Sequence, residues 1–495
     1  MTLEQLAAAL DGAERRGEAV LDDATHDSRQ ARPGMVFCAI VGAVTDGHEH
    51  AAAAVDRGAS ALLVERWLDL DVPQVKVPDS RAATGPAAAR VHGMPSADLT
   101  VVGITGTNGK TTSAYLVEAA FGAAGRGTGL VGTVETRIHG DAVPGLRTTP
   151  EGTDVQRLLA AMRDRGVDGV AMEVSSHGLE LRRVDGTRFA VAVFTNLSQD
   201  HLDFHPTMDA YLAAKQRLFT PGLAVRGIVT VDGSGWGERV AAEATIPVVT
   251  LGTGVEADVR IEAVRADLAG TAVRLHGAAE VLGGADTVDV ETRLVGAYNG
   301  RNAAGAYLAA VAAGVPAEAA AAGIAACPGV PGRLEPVDVG QPFTVLVDYA
   351  HTPDAVATVL ATLRPLLPRG ARLIVVLGAG GERDQAKRPL MGAAAAAGAD
   401  VAVLTSDNPR SEDPQAILDA VAGGAATVPD PAEIVMAIDR RRAIAAALDR
   451  ARPGDVVVIA GKGHETTQDL GYQVIPFDDR EVTRELLAVH AAGAA

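Results

Sequence analysis

The sequence predicts an α/β protein of three domains, and three observations carry that prediction. Its apolar runs are short and lack polar alternation, as in strands covered on both faces of a parallel sheet. They are Leu99–Thr105, Gly169–Val174, Val191–Thr195, Val345–Asp348, Leu373–Leu377, Val401–Thr405 and Val456–Ala460. Alanine-rich segments of helical length separate them, the alternation that builds α/β layers. Each run stops at a cluster of Gly, Asp, Asn, His, Arg or Lys, where an open parallel sheet binds its ligands.

At 495 residues the chain is too long for one core. A first region, residues 1–97, carries an expected strand Met35–Val41 after the Pro33-Gly34 turn, an alanine-rich helix Ala51–Arg57 and a strand Ala61–Val64; it ends in the turn-prone His92–Ser96. A second, residues 98–332, opens on Leu99–Thr105 and closes in Cys327-Pro328-Gly329-Val330-Pro331-Gly332. The third, 333–495, again alternates strands and helices.

Composition removes several function classes. With 47% hydrophobic and 21% charged residues the chain is globular rather than disordered. Aromatics are only 3%, so the cores are expected from Val, Leu, Ile and Ala. A formal net charge of −18 argues against nonspecific nucleic-acid or membrane binding, which needs a basic face. An anionic ligand must therefore be held by a few local groups. Cys38 and Cys327 suggest no disulfide scaffold, and neither a leader peptide nor a membrane span is read. The expectation is a cytoplasmic protein.

The chemistry begins after the first apolar run of the second region. Gly106–Gly109 reads as a tight loop and Lys110 to Ala123 as a helix, an order that aims backbone N–H groups at an anion and adds the Lys110 charge. Thr111 or Thr112 can offer a hydroxyl to Mg²⁺. The generic phosphate-loop spacing puts its first glycine on Ile104, and Gly103 comes one place too early. A glycine-rich turn without a ligand is the plain alternative.

The spelling Gly106-Thr107-Asn108-Gly109-Lys110-Thr111-Thr112 resembles the loop of the Mur ligases and of the related folylpolyglutamate synthases, which join an amine to a carboxylate at the expense of ATP. The resemblance implies that these seven residues bind ATP on a central P-loop-type sheet, ahead of a Rossmann-like C-terminal domain. Glu173-Val174-Ser175-Ser176-His177 and Thr195–His205 follow the next two strands. Taken singly they are ordinary capping and turn residues. In this order they resemble the Mur pattern, which makes Glu173 and His201 Mg²⁺ ligands beside the Thr111 or Thr112 hydroxyl. Tyr211-Leu212-Ala213-Ala214-Lys215 is similar to the segment whose lysine is carbamylated in the family, a carbamate modification that would turn Lys215 into an anion supporting Mg²⁺. Lys110, Glu173, His201 and Lys215 are thus the implied catalytic set. Asn299 and Asn302 resemble the adenine-side motif. Arg333 and Asp348 are implied ATP contacts from the C-terminal domain, coupling ATP binding to a closure that excludes water.

Asp27-Ser28-Arg29, Pro33–Phe37 and Asp46-Gly47-His48 resemble the UDP-sugar-binding domain of the Mur ligases, which folylpolyglutamate synthases lack. The implied contacts are His26, Ser28 and the loop Ala43, Val44 and Thr45; His26 stands where a small apolar residue is often found. Thr148, Thr149, Ser175 and Arg183 match positions that hold the muramoyl-dipeptide. Leu181 replaces a glutamine contact of some members.

Ser406-Asp407-Asn408-Pro409-Arg410 resembles the signature of family members that add meso-diaminopimelate. That amino acid has a second amino-carboxyl centre which lysine lacks, and a planar guanidinium at Arg410 suits its carboxylate. Arg383, Asp407, Asn408, Pro409, Gly461 and Glu465 match the remaining contacts, with Glu465 able to bind the distal ammonium. The resemblance implies an ATP- and Mg²⁺-dependent ligase of peptidoglycan synthesis, acting as a monomer on UDP-N-acetylmuramoyl-L-alanyl-D-glutamate and meso-diaminopimelate through an acyl phosphate. Addition of L-lysine or another diamino acid is the near alternative, and a non-ligase P-loop ATPase the remote one.

Overall fold

The computed structural model describes residues 1–42, 45–145, 147–382 and 384–493. The chain divides into two compact units, one of residues Met1–Ala263, Val273–Glu291 and Arg301–Cys327, the other of Val264–Ala272, Thr292–Gly300 and Pro328–Ala495.

The first unit opens with a five-stranded sheet in the order Glu14–Arg16, Gln74–Lys76, Ala61–Val64, Met35–Cys38, Asp23–Thr25. All neighbours are parallel except the first pair. The strand expected to reach Val41 stops at Cys38, because the Ile40 amide turns back onto the Cys38 carbonyl at 3.0 Å. Helix Ser80–Val91 packs on helix Gly152–Asp164 of the neighbouring layer. Asp23 reinforces that junction, 3.1 Å from His92 and 3.2 Å from Arg157. Burial opposes its ionisation, but His92, the Ala24 amide and Arg157 together hold its carboxyl down at about 2.

An 11-stranded sheet follows. Its centre runs Val248–Gly252, Ala224–Val231, Phe189–Phe194, Thr100–Thr105, Gly169–Glu173, Thr128–Val131, every neighbour parallel. Strand Thr100–Thr105 sits between Phe189–Phe194 and Gly169–Glu173, with Ile104 in register with both Val193 and Glu173. The carboxyl ends of three adjacent strands therefore meet at one place. Helix Lys110–Ala123 covers the sheet as the sequence predicts. Antiparallel strands Glu135–Ile138 and Asp141–Pro144 extend the edge, beyond what the apolar runs announce.

In the second unit a six-stranded sheet runs Glu335–Pro336, Thr344–Asp348, Val456–Ala460, Leu373–Ala379, Val401–Ser406, Glu433–Met436, parallel after its first pair. Alternate residues enter two separate cores. Leu346, Val375, Leu377, Leu404 and Val458 pack in one, while Val347, Ile374, Val376, Val403 and Ile459 pack in the other. Both faces are covered, which is why these strands show no polar alternation. Among the described residues no helix is long and apolar enough to cross a membrane.

Candidate active site

Gly106 explains the irregular spacing of the loop. Its φ is +147°, and a Cβ there would overlap Thr195 Oγ1. The close approach that demands glycine thus lies at the strand's exit rather than inside it. Thr195 and Asn196, from the adjoining strand end, clamp the loop. Thr195 Oγ1 donates to the Asn108 carbonyl at 2.6 Å, Asn196 Oδ1 accepts from the Asn108 amide at 3.0 Å, and the Asn196 carbonyl accepts from the Thr107 amide at 2.9 Å. Thr107 Oγ1 lies 3.2 Å from the Tyr211 hydroxyl. Gly109, at φ +85°, turns the chain into the helix and packs against the Asn302 amide.

Two lysines converge on one carbonyl. Lys110 Nζ donates to the Gly106 and Thr107 carbonyls at 3.0 and 2.8 Å, and Lys215 Nζ donates to the Gly106 carbonyl at 2.9 Å. Lys215 is fully buried on helix Met208–Gln216, with its ammonium 4.4 Å from the Tyr211 ring centre. Among the described residues no carboxylate lies within ion-pair distance of it. Burial and then the Lys110 charge push its amine well below the ordinary lysine value.

Glu173 ends the next strand over, buried, with Oε2 accepting from Thr111 Oγ1 at 3.0 Å and Thr133 Oγ1 at 2.9 Å, and Oε1 from the Thr133 amide at 2.8 Å. A hydroxyl and a carboxylate at a phosphate loop are the oxygen donors that a hard divalent cation prefers. Thr111 and Glu173 fit Mg²⁺ on that ground; Thr112, also buried, follows in the same helical turn. Among the described residues no group of three or more His, Cys, Asp or Glu is arranged to hold a metal. His201, at φ +53°, sits in an aromatic cluster, its ring 4.8 Å from His177 and 6.0 Å from Tyr211. Burial, followed by the His201, His205 and Arg183 charges, pushes His177 down to about 4.

Beside Glu173 the chain gathers a second set. Thr149 Oγ1 donates to the Glu173 carbonyl at 3.0 Å and accepts from the Ser175 amide at 2.9 Å; Thr148 Oγ1 lies 3.0 Å from Thr133 Oγ1. Arg183 donates to the Thr149 carbonyl at 3.1 Å and pairs with Glu151 at 2.9 Å. Arg81 and Arg147 approach the same carboxylate at 3.4 and 3.7 Å. Three guanidiniums on one acid leave cationic excess, and buried Arg183 Nε has no hydrogen-bond partner among the described residues. Arg81 and Arg147 carry no sequence pattern that singles them out. From the first sheet, His26 Nδ1 reaches Thr153 Oγ1 at 2.8 Å, while Ser28 begins a short 3-10 turn capped by Asp27 and the Thr45 carbonyl accepts from Gly42 at 3.0 Å. Ala43 and Val44 lie outside the described residues.

In the second unit buried Asp348 accepts from the Leu334 and Ala350 amides, each at 2.8 Å, and Arg333 lies 4.6 Å over the Tyr349 ring. Burial raises the Asp348 carboxyl, and the Arg333 charge works against that shift. Asn299 is turned to the Val295 carbonyl at 2.9 Å.

The Asp407–Arg410 turn leaves strand Val401–Ser406 and meets Gly461–Glu465, which leaves strand Val456–Ala460. Asn408 Nδ2 donates to Glu465 Oε2 at 2.9 Å, and buried Lys462 Nζ donates to the same oxygen at 3.0 Å and to Asn408 Oδ1 at 3.1 Å. Gln468 holds the Asp407 carbonyl at 2.6 Å, and Arg410 Nη1 donates to the Gly381 carbonyl at 2.6 Å. Cβ atoms at Gly381 and Gly471 would overlap the Pro409 and Arg410 carbonyls, so the turn is gripped by two glycines. Beneath it Arg440 and Asp479, both wholly buried, form a bidentate pair at 2.7 and 2.6 Å, and Arg440 also donates to the Ser406 and Ala460 carbonyls at 3.3 and 3.0 Å. One guanidinium thereby ties together the two strand ends that carry the motifs. Arg440 and Asp479 are the residues that motif matching overlooks. Arg383 lies outside the described residues.

A phosphate loop with an oxygen-donor pair, on three mostly parallel α/β sheets, defines an ATP-dependent ligase when taken with the comparisons. Residues 104–310 match the Mur ligase middle domain and residues 332–463 the Mur ligase glutamate ligase domain. The chain belongs to the Mur ligase family. It is 48% identical to the UDP-N-acetylmuramoyl-L-alanyl-D-glutamate–2,6-diaminopimelate ligase of Streptomyces coelicolor, over 98% of this chain and 96% of that protein. It is 44% identical to the enzyme of the same name from Geobacillus thermodenitrificans, over 92% and 93%. A solved structure of a ligase of that name superposes with a TM-score of 0.69 at 32% identity, covering 95% of each chain. A folylpolyglutamate synthase of Mycobacterium tuberculosis complexed with ADP shares the fold, with a TM-score of 0.61 at 22% identity, over 78% of this chain and 92% of that one.

Proposed function

We infer that the chain is the ATP-dependent ligase that joins meso-diaminopimelate to UDP-N-acetylmuramoyl-L-alanyl-D-glutamate, a step of peptidoglycan precursor synthesis. The observation that carries this reading is the near full-length identity with ligases of that name. In the reading, residues 1–97 bind the UDP-sugar, 98–332 bind ATP and 333–495 bind the amino acid. The chain works as a monomer in the cytoplasm.

The substrate's terminal glutamyl carboxylate attacks the γ-phosphorus of ATP, the bond to ADP breaks, and an acyl phosphate forms. The amine of diaminopimelate then adds to the acyl carbon, inorganic phosphate leaves, and the amine gives up a proton. Lys110 and the loop amides hold the phosphate chain. Arg183, Thr148, Thr149 and Ser175, supported by Arg81 and Arg147, orient the dipeptide carboxylates. Asn299, Asn302, Arg333 and Asp348 complete ATP binding. Thr111, Thr112 and Glu173, with His201, would hold Mg²⁺, which when bound would supply charge neutralisation at the transferred phosphoryl group. Lys215 is suited to carbamylation because burial and the Lys110 charge favour the amine form that reacts with CO₂. Arg410 and Glu465, with Arg383, Asp407, Asn408, Pro409 and Gly461, select the amine.

Phosphate release from ATP is expected only when both substrates are present. Equal use of L-lysine would sink the choice of amine, and release without either substrate would favour a plain ATPase.

A further inference from the structure

We propose that Lys462 is a positioning residue that sets the amine site for a paired amino-carboxyl centre and against a bare ammonium. The inference rests on the assignment of Arg410 and Glu465 to that site. Lys462 is wholly buried, and its ammonium spans Glu465 Oε2 and Asn408 Oδ1. Asn408 Nδ2 takes the same Glu465 oxygen, while Asn408 Oδ1 also accepts from the Asp469 amide at 3.0 Å. One carboxylate oxygen is therefore saturated from within the fold. Glu465 Oε1 makes no hydrogen bond among the described residues, and the side chain is one-third exposed. It remains for an outside donor.

Charge then decides which donor fits. Lys462 already offsets Glu465, while Arg410 donates to the Gly381 carbonyl and makes no ion pair among the described residues. That pairing matches a ligand end which brings a carboxylate for Arg410 along with an ammonium for Glu465. A lone ammonium meets an acid whose charge Lys462 already offsets, and it leaves Arg410 without its anion. Removing Lys462 would leave one negative charge in excess, which attracts a lone ammonium. A buried cation thus acts on specificity through Glu465 without touching the substrate.

The test is phosphate release by the full chain with meso-diaminopimelate or L-lysine as amine, for wild type, K462M, E465Q and the K462M/E465Q double variant. In K462M the kcat/KM ratio of meso-diaminopimelate to L-lysine should fall by about tenfold or more, through KM for the amine, with KM for ATP unchanged. In E465Q that ratio should rise, because L-lysine loses its one anchor while meso-diaminopimelate keeps Arg410. The double variant should return towards the wild-type ratio. Equal loss for both amines in K462M, with an unchanged unfolding midpoint, would reduce Lys462 to a packing role and overturn the inference. Should K462M not fold, K462Q, which keeps a donor to Glu465 but not the charge, takes its place, and an unchanged ratio there overturns the inference. If E465Q and R410K both left KM for the amine unchanged, the site assignment itself would fall. If they raise it while K462M leaves the ratio untouched, only the role of Lys462 falls.

Discussion

The phosphate loop and the proposed amine site each bury a lysine, and they treat its charge in different ways. Lys215 reaches a backbone carbonyl that Lys110 also uses, and its amine is pushed well below the usual value. Lys462 is equally buried but sits on a carboxylate and an amide oxygen, above an arginine that has its own aspartate. Lys215 is buried on a backbone carbonyl, and Lys462 is buried on a carboxylate. Burying a charge is costly unless it is paired. In the proposed function the triphosphate is the anion that would offset that cost at the loop. The amine site has no such anion, because its ligand end brings no net charge.

Four changes would break or sharpen this contrast, taken from the largest expected effect. Lys110→Met should lower ligation by at least about a hundredfold, since the loop loses the charge proposed to hold the phosphate chain; steady-state phosphate release measures it. Arg440→Met should cost about 3–5 kcal/mol of stability by stranding Asp479, read from the midpoint of denaturant unfolding. Arg410→Lys should lower kcat/KM for meso-diaminopimelate by about tenfold or more through loss of the planar fork, while KM for ATP stays put. A change confined to ATP affinity would contradict the placement of Arg410. Lys215→Met should leave the unfolding midpoint equal or higher at neutral pH, because a poorly solvated amine is removed. A lower midpoint would mean that Lys215 is compensated after all. Intact-mass measurement of the wild type, with and without bicarbonate, tests the carbamate directly.

A smaller effect lies in pH. The His177 imidazole titrates at about 4 in the folded chain, against about 6.5 unfolded. As pH falls, the unfolded chain takes up this proton first, so the His177 contribution is present above the unfolded value and is lost between the two. His177→Phe, which keeps the stacking on Phe204 at 4.1 Å, should flatten the stability profile in that window. An unchanged slope would remove His177 as its source.

How far the sequence could be read follows from the range of each signal. The apolar runs and the loop helix are local patterns, and strand Val456–Ala460 and helix Lys110–Ala123 occur where the sequence places them. The motifs after the strands are local too, and the parallel register then brings Gly106, Glu173 and Thr195 together. What could not be read is pairing at a distance. Arg440 and Asp479 stand 39 positions apart with nothing around them to announce a partner. Lys462 lies inside a motif, but only its burial separates a lysine that props Glu465 from one that contacts ligand. The generic spacing asks for a glycine at Ile104 and finds Gly103 one place too early; only the approach of Thr195 to Gly106 shows where this loop needs one. The antiparallel edge at Glu135–Pro144, partly exposed and short, has no pattern strong enough to count.

The two glycines that grip the Asp407–Arg410 turn limit how this enzyme can change its amine. With Gly381 and Gly471 pressed on the Pro409 and Arg410 carbonyls, the turn is a fixed socket, and a side chain at either glycine would displace it before any new preference could form. Retuning by descent or by design therefore has to exchange side chains within an unmoved frame, at Asn408, Arg410, Lys462 and Glu465. Because these residues share hydrogen bonds and charge balance, the exchanges should arrive in sets rather than singly.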